Sequence, residues 1–510
     1  MMIFKNQSNT LRHFLIVACV VLSDALVTSL HAGDGRPPNV LFILTDDQGW
    51  PTLGCYGNEH VATPNLDRLA SQGIRFTNAY VMPQCTPTRA ALLTGQPTAR
   101  YGMWHVIGWY GTPFARISEP PYRENLAPED CRLPRMFQSA DYATGMAGKW
   151  HLTNGSDGNY VSLKLNAAHK YGFEEVAQPG PGSQNEGDKW VDYLTDQTIA
   201  FIERHQYEPW FFYLAHHTLH GKVSAPDDLI SEYLDRGAPS EGLQNATYLA
   251  AIDHLDRSVG RLTQALDDLG LTENTIVVFL SDNGGVDTVL NPPHLSDDPL
   301  DGSQALRIRE SQFNNEPLRE GKGSLYEGGI RVPCLMRWPK VVQPGLVENT
   351  PIHVIDWLPT LTHAAGLSDG DGQDGMSLMP LFTSTAIDQR DLYWYTPLYD
   401  LRWGCTPSAA IRRGNWKLIE SFGDFVDEQR RYREEPKIEL FDLVSDPGEA
   451  NDLSTKHPEL TSRLREDLRQ WITDSGAVIP TTNPHHAPEK ALFETREKPN
   501  WYVDFESTVK

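Results

Sequence analysis

Three short apolar runs set the limits on what this chain can fold into. Residues 39–44, Trp210–Ala215 and 275–280 are apolar at nearly every position, and each ends in polar residues: Thr45-Asp46-Asp47, His216-His217 and Ser281-Asp282-Asn283. A strand that is apolar at odd and even positions alike must be covered on both faces. That is the pattern of a mostly parallel sheet sandwiched by helices. Helical stretches lie between the runs: 63–72, apolar or small at Leu66, Leu69 and Ala70, and 248–269, with Leu249, Ile252, Leu255, Val259, Leu262 and Leu266 on one face. The body is therefore α/β, and such sheets bind ligands at the carboxyl ends of their strands. The polar residues that close the three runs are the first candidates for a site.

After about residue 385 the texture changes. Short strand-like runs at 391–395, 409–412, 416–420 and 438–441 precede a helix at 458–472, which predicts a smaller C-terminal antiparallel sheet plus helix. The expected division is 38–385 for the large α/β domain, 386–480 for an α+β subdomain and 481–510 for a tail. Residues 286–316, rich in Asp, Pro, Asn and Ser with little periodicity, read as a long surface insertion. Residues 1–32 read as a cleaved Sec signal peptide: Lys5, Arg12 and His13 precede an apolar run at 14–22, and a small-residue exit ends at Ala32. That run is too short to span a bilayer. The mature chain is thus expected to be exported, periplasmic or extracellular, with no stable membrane anchor.

Charge narrows the function. Lys plus Arg number 44 against 67 Asp plus Glu, a formal net charge of −23, which argues against nucleic acid as a partner. An anionic substrate must meet a local cluster of positive charge. Of six cysteines, Cys19 falls in the signal, leaving Cys55, Cys85, Cys131, Cys334 and Cys405. An odd number in an exported chain points to a thiol with a task or a partner. Sequence spacing leaves open whether the other four pair.

Cys85-Thr86-Pro87-Thr88-Arg89-Ala90-Ala91-Leu92-Leu93-Thr94-Gly95 is the most informative stretch. Pro87 suits a first helical turn, Ala-Ala-Leu-Leu continues it and Gly95 ends it. Cys85 then stands at a helix N-terminus, where free N–H groups favour an anion. Asp46, Asp47, Asp282 and Asn283 supply three carboxylates and an amide oxygen, an oxygen-only set suited to Ca²⁺ or Mg²⁺. Gly148-Lys149-Trp150-His151, His216-His217-Thr218-Leu219-His220 and Gly321-Lys322-Gly323 bring basic and acid/base groups.

In chain order these blocks resemble the type I sulfatases, whose signature is Cys-x-Pro-x-Arg followed by Ala-Ala-Leu-Leu-Thr-Gly. The resemblance runs from about residue 38 to 475, and Asn314-Asn315-Glu316-Pro317-Leu318-Arg319 is similar to the arylsulfatase B (N-acetylgalactosamine 4-sulfatase) branch. It implies an alkaline-phosphatase-like fold with 38–385 as the catalytic domain, and Cys85 converted to Cα-formylglycine by a formylglycine-generating maturation enzyme. It also implies one metal ion on Asp46, Asp47, Cys85, Asp282 and Asn283. Asn283, standing where a zinc phosphatase would carry His, favours Ca²⁺. By the same resemblance Arg89, Lys149 and Lys322 surround the sulfate, His151 takes the proton that releases it, and His220 is the acid for the leaving group, with His217 its competitor. The implied substrate is a sulfate ester of a polysaccharide or oligosaccharide. Trp104, Trp109, Tyr110, Trp394, Tyr395 and Trp403 are either sugar-stacking walls or packing residues. Two other readings stand beside this one: a phosphonate or phosphate ester hydrolase, and an exported glycan-binding protein in which Cys85 stays a thiol.

Overall fold

The computed structural model describes residues 36–159, 161–178, 187–291, 306–368, 374–495 and 497–501. The proposed signal peptide, the last nine residues of the tail and the middle of the 286–316 insertion lie outside them.

Strands β1 (Asn39–Thr45), β2 (Ile74–Tyr80), β3 (Ala143–Gly148), β4 (Glu175–Ala177), β5 (Trp210–Ala215) and β6 (Thr275–Ser281) belong to one large sheet. Strands β7 (Thr288–Asn291) and β8 (Arg307–Ser311) stand apart as an antiparallel pair. The large sheet is completed by β9 (Arg331–Arg337), β10 (Leu346–Glu348) and β11 (Ile352–His353), in the order β10-β2-β9-β6-β1-β5-β3-β4 with β11 also on β2. Strand β9 runs antiparallel to both β2 and β6, and the remaining pairings are parallel.

Both faces of the sheet are covered, as the continuous apolar runs require. Along β1, Val40, Phe42 and Leu44 point into one core with the helices Cys85–Thr94, Arg132–Gln138 and Trp357–Ala364. Leu41 and Ile43 point into the other, with Pro64–Ser71, Val191–Arg204 and Ala246–Asp268. Each side chain buried this way contributes roughly 1.5–3 kcal/mol.

A second sheet, β12 (Asp391–Thr396), β13 (Ser408–Arg413), β14 (Trp416–Ser421) and β17 (Lys437–Asp442), is antiparallel throughout. Between its last two strands lies the small hairpin β15 (Phe425–Val426) and β16 (Tyr432–Arg433). One face packs on the helix Pro458–Asp474 through Leu464, Leu468 and Ile472. The other sends Trp394, Ala410, Ile419 and Phe441 into the first core.

The insertion departs from expectation. It carries the β7–β8 ribbon and is pinned to the C-terminal part: Leu290 and Leu306 pack with Tyr399, Leu401 and Tyr432, and Leu306 N–H donates to Arg430 O at 2.9 Å. Sparse apolar residues had hidden these strands, whose β8 is mostly exposed.

Candidate active site

Four neighbouring strands, β6, β1, β5 and β3, end at the same edge of the sheet, and their carboxyl ends carry the polar residues singled out above. Strand β1 delivers Asp46 and Asp47, β6 delivers Asp282 and Asn283, β3 leads to Lys149 and His151, and β5 leads to His216, His217 and His220. Two glycines make the close approach possible. Gly148 has φ +95°, and a Cβ there would meet Ala215 O at 1.9 Å; a Cβ on Gly284 would meet Gly328 O at 1.8 Å.

The helix Cys85–Thr94 begins at this edge. Gln84 at its N-cap is extended and Gly95 closes it at φ +70°. Cys85 is buried, its Sγ 3.2 Å from His151 Nδ1, and Thr86 Oγ1 donates to His151 O at 3.0 Å. Arg89, one turn on, is fully buried. Its Nε and Nη2 lie 3.1 and 2.7 Å from Asp282 Oδ2, and its Nη1 donates to Lys149 O at 3.1 Å.

The other two cations face the other two carboxylates. Lys149 Nζ lies 2.6 Å from Asp46 Oδ2, and Lys322 Nζ lies 2.6 and 2.9 Å from the two oxygens of Asp47. Lys322 reaches the site on a strap joined to the β6 end by Lys322 N–H to Gly285 O, 3.0 Å, and by buried Asn315, whose amide donates to Gly285 O and Glu320 O. Asp47 and His151 hold left-handed backbones at φ 58° and 55°, a strained choice for residues of this type that clusters at functional sites.

Burial alone would push Asp46 up, yet Lys149, His220, Arg89 and Lys322 hold it well below the usual carboxylate range. Asp282 goes the other way. Burial and the charge of Asp46 outweigh Arg89 and raise it to about 7. Burial pushes the Cys85 thiol up against the pull of Lys149 and Lys322. It also lowers the imidazoles, helped by the nearby lysines: His220 to about 4, and His151 and His217 well below the ordinary value.

The residues present fit a hard cation. Asp46 Oδ1 and Asn283 Oδ1 are buried without a hydrogen-bond partner, an expensive state for a polar oxygen. Asn283 is fixed by its Nδ2, which donates to Asp47 Oδ1 at 2.8 Å and to Gly284 O at 2.9 Å. Ligand atoms of Asp46, Cys85 and Asp282 lie within 4.8 Å of one another, as do those of Asp46, Asp47 and His220. Of the two competing histidines, His220 therefore sits beside the carboxylates, whereas His217 packs its ring 5.2 Å from Trp190.

Two features went unseen in the sequence. Lys189, nearly buried with φ 54°, donates from Nζ to His220 O at 2.6 Å beside the same carboxylates; a lone lysine before the Val191–Arg204 helix gave no signal. Gln84 donates to Asp400 Oδ2 at 3.1 Å, tying the Cys85 helix to the C-terminal part. The aromatics divide: Trp394, Tyr395, Trp104 and Trp109 are buried packing residues, while Trp403 lines a cavity beside Lys322. Tyr110 is half-buried and donates to Glu124 Oε1 at 2.8 Å. Cys55, Cys131, Cys334 and Cys405 are unpaired.

Among the described residues no helix is long and apolar enough to cross a membrane. A Sulfatase family model matches residues 38–367, and one for the N-sulphoglucosamine sulphohydrolase C-terminal region matches 321–474. Human arylsulfatase A is 31% identical over 88% of this chain and 89% of its own length. A sulfatase of Formosa agariphila is 27% identical over 91% of this chain and 94% of its own. The solved structure of Ps i-CgsB in complex with k-i-k-neocarrahexaose superposes with a TM-score of 0.66 at 26% identity, covering 86% of this chain and 94% of that one. The chain belongs to the type I sulfatase family and is a sulfuric ester hydrolase.

Proposed function

We propose that the chain removes sulfate from a sulfated polysaccharide or oligosaccharide, using Cα-formylglycine at position 85 and one Ca²⁺. The observation that carries this reading is the convergence of Cys85 Sγ with Asp46 and Asp282 within 4.8 Å at a helix N-terminus, ringed by three buried cations. The glycan class is supported by Ps i-CgsB, which was solved in complex with k-i-k-neocarrahexaose. When present, the formylglycine supplies a hydrated aldehyde as nucleophile, and Ca²⁺ on Asp46, Asp47, Asp282 and Asn283 lowers the cost of charge at its hydroxyl and at the sulfate.

The chain's own side chains do the rest. Arg89, Lys149 and Lys322 are fixed by Asp282, Asp46 and Asp47, so they stabilise charge on the sulfuryl oxygens without reorganising. His151, 3.2 Å from the atom at position 85, is held neutral and is placed to accept a proton there. His220 is neutral in the free site because of burial and the charges of Lys322 and Lys149. An anionic ester that offsets those charges brings it to its acid form, with protonated Lys322 as second donor to the leaving oxygen.

In this reading residues 38–385 form the catalytic domain, 386–480 the subdomain and 481–510 the tail. Residues 1–32 export the chain, and a formylglycine-generating maturation enzyme is its protein partner. The test uses full-length chain co-expressed with a formylglycine-generating enzyme. The tryptic peptide 76–89 should carry aldehyde in place of thiol, and Ca²⁺-dependent turnover should favour 4-nitrophenyl sulfate over the matching phosphate and phosphonate esters. An unconverted thiol beside a converted control sulfatase, or faster turnover of the phosphorus esters, overturns it.

A further inference from the structure

Beyond the three cations of the site, one more guanidinium is built toward the nucleophile. Arg402 places Nε and Nη2 on the two oxygens of Asp400 at 2.8 and 2.7 Å. Its Cζ lies 3.9 Å from the ring centre of Trp109 and 5.7 Å from that of Trp403. Asp400 is fully buried, and its Oδ2 also accepts the Gln84 amide, one residue before Cys85. One edge and one face of the guanidinium are therefore locked. Nη1 makes no hydrogen bond among the described residues, and the side chain keeps 21% exposure.

Trp403 links this guanidinium to a neighbouring cavity. Lys322 Nζ lies 5.3 Å from the ring centre of Trp403, so that indole stands between two cations. Trp403 and Lys322 also line a cavity of about 290 Å³ between the strap at 319–326 and the C-terminal sheet. A guanidinium held flat on an aromatic face with half its fork open is preorganised for the paired oxygens of a carboxylate or sulfate. Arg402 keeps donors that Asp400 does not use, and a single indole, Trp403, separates it from Lys322. In a chain of net charge −23, it offers a second anion a place beside the scissile sulfate.

We propose that Arg402, stacked on Trp109 and clamped by Asp400, is a specificity-determining residue that reads a second anionic group on the substrate. Preferred substrates then carry a sulfate or carboxylate next to the sulfate that is removed. The inference rests on the sulfatase reading, but it is testable in binding without turnover.

Calorimetry on the full-length thiol form in Ca²⁺ buffer should compare N-acetylgalactosamine 6-sulfate with its 4,6-disulfate, glucosamine 6-O-sulfate with its 2-N,6-O-disulfate, and a uronate-containing chondroitin 6-sulfate disaccharide. At least one doubly anionic probe should bind about tenfold more tightly than its singly sulfated counterpart, and the pair showing the preference tells sulfate from carboxylate. Arg402→Gln should abolish it. In matured enzyme the same variant should lose at least tenfold more kcat/KM on that probe than on 4-nitrophenyl sulfate. Should the orphaned Asp400 unfold that variant, Arg402→Gln with Asp400→Asn removes both charges together. No preference in any pair, or equal loss on all substrates, overturns the proposal. Preference without any sulfate release by the matured enzyme would keep the anion reader and overturn the proposed formylglycine-dependent desulfation.

Discussion

Two buried ionic clusters, one on each side of the strap that carries Lys322, differ in how they are completed. At the sheet edge, Asp46, Asp47 and Asp282 face Lys149, Lys322 and Arg89, yet Asp46 Oδ1 and Asn283 Oδ1 are left without donors. Beneath the C-terminal sheet, Lys417 Nζ lies 3.0 Å from Glu327 and 2.8 Å from Glu449. There Tyr80 donates to Glu327 Oε2 at 2.6 Å, and Glu327 N–H donates to Glu449 Oε2 at 2.6 Å. In the second cluster even Glu449 Oε1, which accepts no well-aligned hydrogen bond, is ion-paired at 2.8 Å with Lys417 Nζ, and Arg319 Nη1 on Glu449 O at 2.8 Å ties the strap down from its other end. The first keeps oxygens in reserve. Equal burial and similar charge thus serve two ends: open acceptors suit a ligand, and closed ones fix a loop.

The largest effect that would break this contrast falls on the open cluster. Cys85→Ala should cut sulfate-ester turnover by at least about 10⁴-fold while leaving the fold intact, as loss of a covalent nucleophile does. Steady-state kinetics with circular dichroism as control check this, and residual activity near wild type would remove Cys85 from the chemistry. The closed cluster should respond to pH instead. Burial raises Glu449 to about 7, with Lys417 pulling down and Glu327 pushing up, against an ordinary 4.5. Its raised value means that the folded state holds the proton more tightly. The stability it contributes is complete below about pH 4.5 and is lost as pH rises through 7. Relative to Glu449→Gln, which mimics the protonated form, wild type should lose up to about 3 kcal/mol over that window. Urea melts at pH 4.5, 6 and 8 measure it, and a constant difference would show that Glu449 is ionised throughout.

Next in size, Ca²⁺ at a hundred times its dissociation constant should stabilise the open cluster by about 2.7 kcal/mol. Asn283→Ala should shrink that gain, whereas Glu449→Gln should leave it in place. Melting curves with and without Ca²⁺ decide the matter; a gain that survives Asn283→Ala would place the cation elsewhere.

What was legible in the sequence follows the same division. Strand ends at Asp46 and Asp282 could be read because a doubly buried strand announces itself by continuous apolarity, and the Cys85 helix by Pro87, Ala90, Ala91 and Gly95. Lys149, Lys322 and His220 needed the family resemblance, since a single charged residue after a glycine says nothing of where it points. Lys189 and Arg402 were invisible because tertiary packing alone brings them to the site. The antiparallel direction of β9 was equally hidden, because a strand covered on both faces looks the same whichever way it runs.

The aromatics give the finest test of the comparison. Trp394 was a candidate sugar platform, but it lies on the closed side: it is fully buried, its Nε1 donates to Val81 O at 2.8 Å, and its ring meets that of Tyr80 at 5.4 Å. Tyr80 in turn donates to Glu327, so the indole supports the cluster that anchors the strap. Trp394→Phe keeps most of the apolar contact and orphans one buried carbonyl, which costs about 1 kcal/mol. Thermal melts should show that loss, while kcat/KM on a sulfated oligosaccharide stays within about twofold. The opposite pattern, an unchanged melt with a tenfold rise in KM confined to the oligosaccharide, would mean that this ring meets substrate. It would also mean that the closed cluster is not sealed from the site.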